Sequence, residues 1–330
     1  MTLRIGLNGF GRIGKNFARL VMQDPDVELV AFNARKSPST YAYTFKYDSV
    51  HGNWPGEVGA DDDGIIIDGK KIKMTKAGKG EWQWGDLGVD LVVEATGMFV
   101  DRESCQMHLD RGAKKVIISA PGKKPDLTVV YNVNHEQYDP SQHSIISVAS
   151  CTTNCLAPVV QALHKEFTVA KGFMTTVHAY TTSQAILDST NTKDPRRGRA
   201  AAINILPTST GAARMVGQVL PEMEGKIDGL AIRSPNPNGS IVDLTAVVEK
   251  RTSTDEVNEA FRRLQSETLG YTDEYIVSSD IVGDTHGCVI DGRSTAVIQE
   301  NLVKVLAWYD NEMGFNNQML RMVKYVGSKL

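Results

Sequence analysis

A cysteine is set in a run of hydroxyls and an amide, Ser150-Cys151-Thr152-Thr153-Asn154-Cys155, and a histidine, His178, closes a short β-like stretch, Thr175-Thr176-Val177-His178. A thiol attacks carbonyl carbon as its thiolate, which needs a nearby base or the positive end of a helix. Ser150, Thr152, Thr153 and Asn154 read as a polar cap before a helix, and that N-terminus is expected to lower the Cys151 pKa through its dipole. His178 is the candidate base for the thiol, or the acid that protonates an oxyanion. The competing readings are a small buried cysteine and a satisfied structural histidine. The polar surroundings of Cys151, and Thr181, Thr182 and Ser183 beside His178, favour chemistry, so a covalent thioester is expected. The other histidines, His51, His108, His135, His143, His164 and His286, lie among ordinary polar or helical residues and receive no chemical role. Cys151 and Cys155 lack a second Cys/His pair nearby, so no metal site is expected.

A second pattern opens the chain. Arg4 to Leu7 reads as a strand running into Gly9-Phe10-Gly11-Arg12-Ile13-Gly14, the Gly-x-Gly-x-x-Gly spacing, followed by an amphipathic helix. In that setting Gly9 makes the tight turn, Gly11 lets the backbone approach a pyrophosphate, and Gly14 permits close helix–strand packing, with the helix N-terminus facing the anion. A dinucleotide is the expected ligand. An acidic residue about 20 positions further on ordinarily receives the adenosine ribose hydroxyls. Here the second strand ends Phe32-Asn33-Ala34-Arg35-Lys36, with no carboxylate and two cations, which makes NADP acceptable alongside NAD. The alternative is a solvated charge pair on a loop.

A thioester can be opened by water or by phosphate, and a phosphate acceptor requires anion pockets. The candidates are the hydroxyl run Thr208-Ser209-Thr210-Gly211-Ala212-Ala213 before a helix, together with Arg197 and Arg233. Arg233 ends the apolar stretch Leu230-Ala231-Ile232, where a buried charge needs an anionic partner, and a phosphate ligand would supply one.

These groups need a scaffold. At 330 residues the chain predicts two domains. Hydrophobic residues at 41% and charged residues at 23% are globular proportions, and a formal net charge of -3 excludes a broad basic field for nucleic acid. Small-molecule partners are expected. No apolar run reaches the ~20 residues that span a bilayer, and the N-terminus enters a strand without secretory-signal features, so the cytoplasm is expected. Four cysteines fit reduced thiols. Residues 1–150 alternate strand runs (3–7, 27–33, 91–95, 115–119, 144–148) with helical patterns, the signature of a doubly wound parallel (Rossmann) sheet. An insert from Tyr47 to Trp84 carries a hairpin at 65–67 and 71–74. From residue 151 a helix at 155–166 and longer strands (172–180, 230–234, 241–250, 287–291, 302–309) predict an α+β lobe with a mixed sheet, spanning 151–315. The polar stretch Thr182 to Ile203 is too long for an ordinary connection and is expected to be functional. The last helix, expected at 317–326, is expected to return so that about 316–330 completes the nucleotide lobe.

With these pieces in place, the chain resembles the glyceraldehyde-3-phosphate dehydrogenase family over essentially its entire length, on NGFGRIG, KYDSVHG, EATG, ISAPGK, ASCTTNCLAP, TTVHAYT, RRGRAAA, PTSTGAA, VDLT and WYDNE. The resemblance implies that Cys151 attacks glyceraldehyde 3-phosphate, that His178 supports thiolate formation and proton transfer, and that hydride passes to NAD(P). Inorganic phosphate then releases 1,3-bisphosphoglycerate. It places the substrate phosphate near Thr181, Ser183 and Arg233, and the attacking phosphate near Ser150, Thr152, Thr210, Gly211 and Arg197. It assigns cofactor contacts to Asn8, Gly9, Gly11, Arg12, Ile13, Gly14, Asn33, Thr96, Gly97, Ser119, Asn311 and Phe315, with Ala34, Arg35 and Lys36 at the adenosine end and Asn311 on the carboxamide. It also implies a homotetramer whose long loop reaches toward a neighbouring subunit.

The chain departs from the family pattern in places. The usual Asn-Asp is Asn33-Ala34 and the usual Gly-Pro in the long loop is Ser189-Thr190, and both changes point toward NADP, which leans weakly toward biosynthetic flux. Val148 stands where Asn is common, Ser234-Pro235-Asn236-Pro237-Asn238-Gly239 replaces Val-Pro-Thr-Pro-Asn-Val, and Phe315 replaces Tyr. Alternative readings are an erythrose-4-phosphate dehydrogenase-like paralogue that hydrolyses its thioester, a non-catalytic redox or nucleic-acid-binding relative, and a thiol peptidase, which the glycine fingerprint opposes.

Overall fold

The computed structural model describes residues 2–192 and 194–330; Met1 and Lys193, the latter inside the polar loop singled out above, lie outside the described residues. The chain divides into two compact units, Met1–Tyr131 with His135–Ser150 and Met319–Leu330, and Asn132–Asn134 with Cys151–Gln318.

The first unit contains strands β1 (Leu3–Asn8), β2 (Val27–Asn33), β3 (Val58–Ala60), β4 (Gly64–Ile67), β5 (Lys70–Thr75), β6 (Leu91–Glu94), β7 (Lys115–Ile118), β8 (Leu127–Thr128) and β9 (Ile145–Ser147), with helices α1 (Arg12–Val21), α2 (Pro38–Lys46) and α3 (Arg102–Asp110). They form one nine-stranded sheet in the order β3-β4-β5-β2-β1-β6-β7-β9-β8. Every neighbouring pair from β5 to β8 is parallel, and β3, β4 and β5 are antiparallel. Strands β6, β7 and β9 are buried at every position, which is why they read as short apolar runs with no alternation, a polar residue (Glu94, Lys115, Ser147) standing only at one end of each. The sheet reverses its winding at β1, with β2 on one side and β6 on the other, so the carboxyl ends of these three strands border the crevice where open α/β sheets bind ligands. Helix α2, which the apolar pattern does not reveal, starts on a Ser37 cap that accepts from the Thr40 N–H and carries Pro38 in its first turn.

The second unit holds β10 (Val169–Ala179), β11 (Leu206–Ser209), β12 (Ile227–Ser234), β13 (Ser240–Val248), β14 (Leu269–Thr272), β15 (Cys288–Ile298) and β16 (Leu302–Tyr309), with α4 (Cys151–Phe167), α5 (Ala212–Val219), α6 (Thr254–Arg263) and the start of α7 (Met313–Gly327). Its seven-stranded sheet runs β11-β12-β10-β13-β16-β15-β14 and is mixed: β10/β12 and β14/β15 are parallel, the rest antiparallel. Strict alternation of buried and half-buried residues along β13 and β16 commits one face to the core, against which α4 packs. On β10 and β12 the side chains of Phe173, Val177 and Leu230 are exposed.

Three elements differ from the sequence reading in ways that matter. Helix α4 begins at Cys151, not Cys155, so the hydroxyl run is its first turn; Thr152, Thr153 and Asn154 are buried. Strand β15 continues to Ile298 through a register shift between Asp291 and Ala296, where Gly292, Arg293 and Ser294 interrupt the apolar pattern. Helix α7 starts at Met313 because the Asp310 carboxylate accepts from the Glu312 and Met313 N–H groups at 2.7 and 2.8 Å.

Candidate active site

In the first unit the glycine turn has the geometry a pyrophosphate needs. Gly9 has φ +99°, a conformation that favours glycine, and a Cβ at Gly14 would stand 2.2 Å from the Gly9 carbonyl oxygen. Gly11 is exposed at the start of α1, no side chain caps the helix there, and a Cβ would meet nothing within 4 Å. A cradle of backbone N–H groups with open space in front of it fits a dinucleotide phosphate. Arg12, next in the chain, is held by Asp48 at 2.5 Å; Ile13 is half-buried beside it.

Asp48 is itself buried. Burial alone would raise its pKa, but the backbone N–H groups of His51 and Val50 and the Arg12 guanidinium outweigh that and hold it at about 2. A carboxylate with a depressed folded pKa contributes stability above its unfolded value and loses it as pH falls toward 2. Asp48→Asn is therefore expected to lose about 2 kcal/mol at neutral pH in urea titration. The deficit relative to the parent should shrink steadily between pH 4 and pH 2; a deficit independent of pH would contradict the assignment.

The carboxyl ends of the central strands are tied together by side chains. Asn33 Nδ2 donates to Asn8 Oδ1 at 2.9 Å, and Asn8 Nδ2 donates to Glu94 Oε2 at 2.5 Å. Glu94 Oε1 accepts from the Thr96 N–H at 2.7 Å and from the Thr96 hydroxyl. Ser119 donates to the Glu94 carbonyl oxygen at 2.9 Å. Gly97, at φ +69°, leaves open space beside Thr96. His108, given no role above, completes this buried network. Its Nδ1 accepts from Trp84 Nε1 at 3.0 Å, which assigns the proton to Nε2, 3.2 Å from Glu94 Oε2. Nothing in the spacing of Glu94, His108 and Trp84 reveals this cluster, which depends on α3 lying over the sheet. At the end of β2, Ala34 is buried, and the Arg35 and Lys36 N–H groups donate to the Tyr41 phenol oxygen at 3.2 and 3.3 Å. Both cationic side chains are exposed and, among the described residues, neither makes an ion pair.

In the second unit the thiol and imidazole expected to react come from the first residue of α4 and the end of β10. Cys151 Sγ lies 3.4 Å from His178 Nε2. The imidazole Nδ1 lies 2.7 Å from the Ala179 carbonyl oxygen, which assigns it the proton and leaves Nε2 as an acceptor facing the thiol. Arg233 stands beside it because β10 and β12 run parallel with His178 opposite Arg233. Its Nη1 donates to the Ala179 carbonyl oxygen at 2.9 Å, the acceptor it shares with His178 Nδ1; with the proton on Nδ1 its 2.8 Å approach to that nitrogen is a contact of two donors and not a hydrogen bond.

The electrostatics differ from expectation. Burial pushes the Cys151 thiol up, against the opposing pull of Arg233 and of Thr152's hydrogen bonds, so the helix start does not bring its pKa below the usual thiol range. Burial and the Arg233 charge lower His178 to about 3. At rest the pair is a neutral thiol beside a neutral imidazole. Arg233 has no carboxylate partner among the described residues, and its buried Nε makes no hydrogen bond. Burial and the neighbouring Arg197 charge both weigh on it. An incompletely satisfied buried guanidinium beside a second one is a site for an anion.

Arg197 is held in the long loop. Its Nε and Nη2 donate to the Thr208 hydroxyl at 3.2 and 3.0 Å, Nη1 donates to the Ser183 hydroxyl at 3.1 Å, and Ser183 pairs with Thr181 at 2.8 Å. The Asp194 carboxylate lies 3.6 Å away and also accepts from Thr208. The loop folds back on itself, with the Ser189 N–H donating to Gly198 O and Arg199 paired to Asp188 at 2.8 Å; Ser189 and Thr190 are exposed.

The other expected site residues are placed less directly. The Thr152 hydroxyl lies 3.0 Å from the Tyr309 phenol and is buried. Thr210 accepts from the Ala212 N–H and Gly211 opens α5, and among the described residues neither bonds to Cys151, His178 or Arg233. Ser150 is half-buried and ends the first unit. Asn311 and Phe315 are buried at the start of α7. Sequence reasoning gave no role to Tyr309, which touches Thr152 and Thr176, or to the Ala179 carbonyl, although WYDNE and TTVHAYT contain both.

Residues 3–102 match the family profile for the glyceraldehyde 3-phosphate dehydrogenase NAD binding domain, and residues 150–311 match that for its C-terminal domain. The chain is 48% identical over 335 residues to glyceraldehyde-3-phosphate dehydrogenase of Geobacillus stearothermophilus, covering 100% of this chain and 99% of that protein. It is 50% identical over 343 residues to the protein of that name from Mycobacterium tuberculosis, and 47% identical over 337 residues to the one from Streptomyces coelicolor, each covering 100% of both chains.

Proposed function

Because the chain belongs to the glyceraldehyde-3-phosphate dehydrogenase family, we propose that it oxidises glyceraldehyde 3-phosphate to 1,3-bisphosphoglycerate, reversibly, through a thioester on Cys151. The observation that carries this reading is the 3.4 Å approach of Cys151 Sγ to His178 Nε2, beside an Arg233 whose buried Nε is unpaired. Cys151 Sγ attacks the aldehyde carbon as His178 Nε2 takes the thiol proton, and the resulting imidazolium can return that proton to the oxyanion. Bound NAD or NADP would accept the aldehyde hydrogen as hydride, and His178 Nε2 takes the hydroxyl proton back, which leaves the thioester on Cys151. Inorganic phosphate then attacks the thioester carbonyl, the carbon–sulfur bond breaks, and the sulfur leaves as thiolate. Arg233, with Arg197, Thr181 and Ser183, is assigned to the phosphate groups. An anion at Arg233 offsets the charge that disfavours imidazolium, so substrate binding itself prepares His178 to accept the proton.

The first unit is assigned as the nucleotide domain, with Asn8 to Gly14, Asn33, Thr96, Gly97 and Ser119 at the cofactor and residues 319–330 completing it. Residues 151–318 form the catalytic domain, and Asn311 takes the carboxamide. NADP is proposed as the preferred cofactor because Ala34 presents no carboxylate and Arg35 and Lys36 offer unpaired charge to a 2′-phosphate. The reading also includes a homotetramer in the cytoplasm. Ile186, Leu187, Ile203 and Ile205 expose more than two thirds of their surface in and just after the long loop, apolar area that a neighbouring subunit would cover. No helix among the described residues is long and apolar enough to cross a membrane.

A steady-state assay with both cofactors, with and without phosphate, tests the reading. Turnover should require phosphate, and kcat/KM should favour NADP. Ala34→Asp should move the NADP-to-NAD ratio toward NAD by roughly tenfold or more, the scale of one charge-assisted contact. Phosphate-independent turnover would point to the hydrolytic paralogue, and a strong NAD preference in the parent would overturn the NADP assignment.

A further inference from the structure

One residue of the backbone orients two side chains on which the reaction depends. The Ala179 carbonyl accepts from His178 Nδ1 at 2.7 Å and from Arg233 Nη1 at 2.9 Å. The N–H of the same residue donates to Ser240 Oγ at 3.1 Å, and Ser240 Oγ stands 2.8 Å from Asn311 Oδ1. A backbone N–H can only donate, so the Ser240 oxygen is the acceptor in the first bond and its single proton is left for Asn311. This fixes the Asn311 amide. Its oxygen is turned inward onto Ser240, and its Nδ2, a donor with no acceptor engaged among the described residues, is turned away.

Ser240 and Asn311 are 1% and 6% exposed, so water cannot easily replace either partner if the other is lost. The segment before Ser240 is built to hold it. Asn236 Nδ2 donates to the Asn238 and Gly239 carbonyl oxygens at 2.8 and 2.7 Å, and Asn238 Nδ2 donates to Asp310 Oδ1 at 2.9 Å, bridging the residues that precede Ser240 and Asn311 on the two sides. Gly239 has φ +82°, and a Cβ there would stand 2.0 Å from the Ser278 carbonyl oxygen. The departures from the family pattern at Asn236 and Gly239 thus fall in the turn that delivers Ser240.

We infer that Ser240 is a positioning residue: by holding the Asn311 amide with its N–H donors outward, it selects the oxygen of the nicotinamide carboxamide and fixes the ring for hydride transfer, and Ala179 ties that orientation to the orientation of His178. The inference rests on the assignment of Asn311 to the carboxamide. An amide free to turn would present its oxygen to the carboxamide oxygen half the time, and the ring would lose its preferred orientation.

The test is a cycle of Ser240→Ala, Asn311→Ala and the double variant, with Ser240→Thr as the conservative replacement. Dissociation constants for NADH and NADPH are read by fluorescence, hydride transfer by single-turnover kinetics, and the Ala179 amide by hydrogen exchange in the cofactor-free protein. Loss of one buried hydrogen bond predicts about five- to tenfold weaker binding of reduced cofactor and slower hydride transfer in Ser240→Ala, with aldehyde KM unchanged. Ser240→Thr restores both, and Ser240→Ala adds less than about twofold in the Asn311→Ala background because the two residues act as one unit. The Ala179 amide exchanges faster in Ser240→Ala and is protected in Ser240→Thr. If Asn311→Ala binds cofactor normally, the carboxamide assignment falls and this inference with it. If Asn311→Ala is impaired while Ser240→Ala is not, or if their effects simply add, the relay is wrong and the cofactor reading stands. Should Ser240→Ala not fold, Ser240→Cys, a poor hydrogen-bond donor of similar size, is judged by the same criteria.

Discussion

Cys151→Ala is expected to lower kcat by roughly four to six orders of magnitude, the scale seen when a covalent nucleophile is removed from an assembled site. The substitution removes one sulfur atom and adds no bulk, so the fold should tolerate it, and the thermal midpoint should move by no more than a few degrees. Cofactor affinity should persist, since the glycine cradle at Gly9 to Gly14 and the amide of Asn311 are untouched. Cys151→Ser is a sharper version of the same test. It keeps a nucleophilic atom within reach of His178 Nε2, but a hydroxyl holds its proton far more tightly than a thiol and is the poorer leaving group when phosphate attacks the acyl intermediate. Both variants should bind aldehyde and dinucleotide and produce no burst of reduced cofactor. A Cys151→Ala protein with more than about a hundredth of parental kcat would mean that the thiol is a bystander.

His178→Asn is expected to cost about 10²- to 10⁴-fold in kcat, the range for a positioned general base. Geometry gives the reason. The Ala179 carbonyl fixes the tautomer, so Nε2 is an acceptor 3.4 Å from Sγ, and burial leaves the thiol without another means of ionising at neutral pH. Alkylation of Cys151 by iodoacetamide should slow in the variant at pH 7, and its pH profile should move to higher pH. A second readout separates catalysis from structure. The folded His178 pKa is about 3, below the ordinary value of 6.5. Between those values the unfolded chain binds a proton that the folded protein refuses. Stability from this group is complete above pH 6.5 and falls as pH drops through the window, by about 1.4 kcal/mol per pH unit at its steepest. Asparagine does not titrate, so His178→Asn should lose less stability than the parent between pH 6.5 and pH 4. Equal acid sensitivity of the two proteins would contradict a neutral, buried imidazole.

How much of this was legible in the sequence depends on which interactions carry each feature. Strands β6, β7 and β9 read directly, because a strand buried on both faces is apolar in its run, with only Glu94, Lys115 and Ser147 at their ends departing from it. The glycine turn read directly, because sterics at Gly9 and Gly14 leave no other choice. Cys151 and His178 were recognised by type and setting, and the fold brings them together. Helices α2 and α3 were missed. Their sequences, PSTYAYTFK and RESCQMHLD, show little apolar periodicity, and capping at Ser37 and Asp101 marks their starts. The neighbour of His178 could not be read at all. Arg233 reaches it through the parallel register of β10 and β12, a long-range pairing that no local pattern encodes. The thiol pKa was misjudged for a related reason. The dipole of a helix start is visible in sequence, whereas the burial that outweighs it in this site depends on everything packed around α4. The role of Ala179 is carried by its backbone, where side-chain identity leaves no trace.

The central claim is that the substrate acyl group resides on Cys151 while reduced cofactor forms. Rapid quenching in acid, after the protein is mixed with glyceraldehyde 3-phosphate and NADP or NAD without inorganic phosphate, followed by peptide mass spectrometry, tests it most directly. The account predicts a 3-phosphoglyceryl adduct on the peptide carrying Cys151, appearing in step with one equivalent of reduced cofactor and discharged when phosphate is added. Reduced cofactor formed with no adduct, or an adduct on Cys105, Cys155 or Cys288 instead, would contradict it.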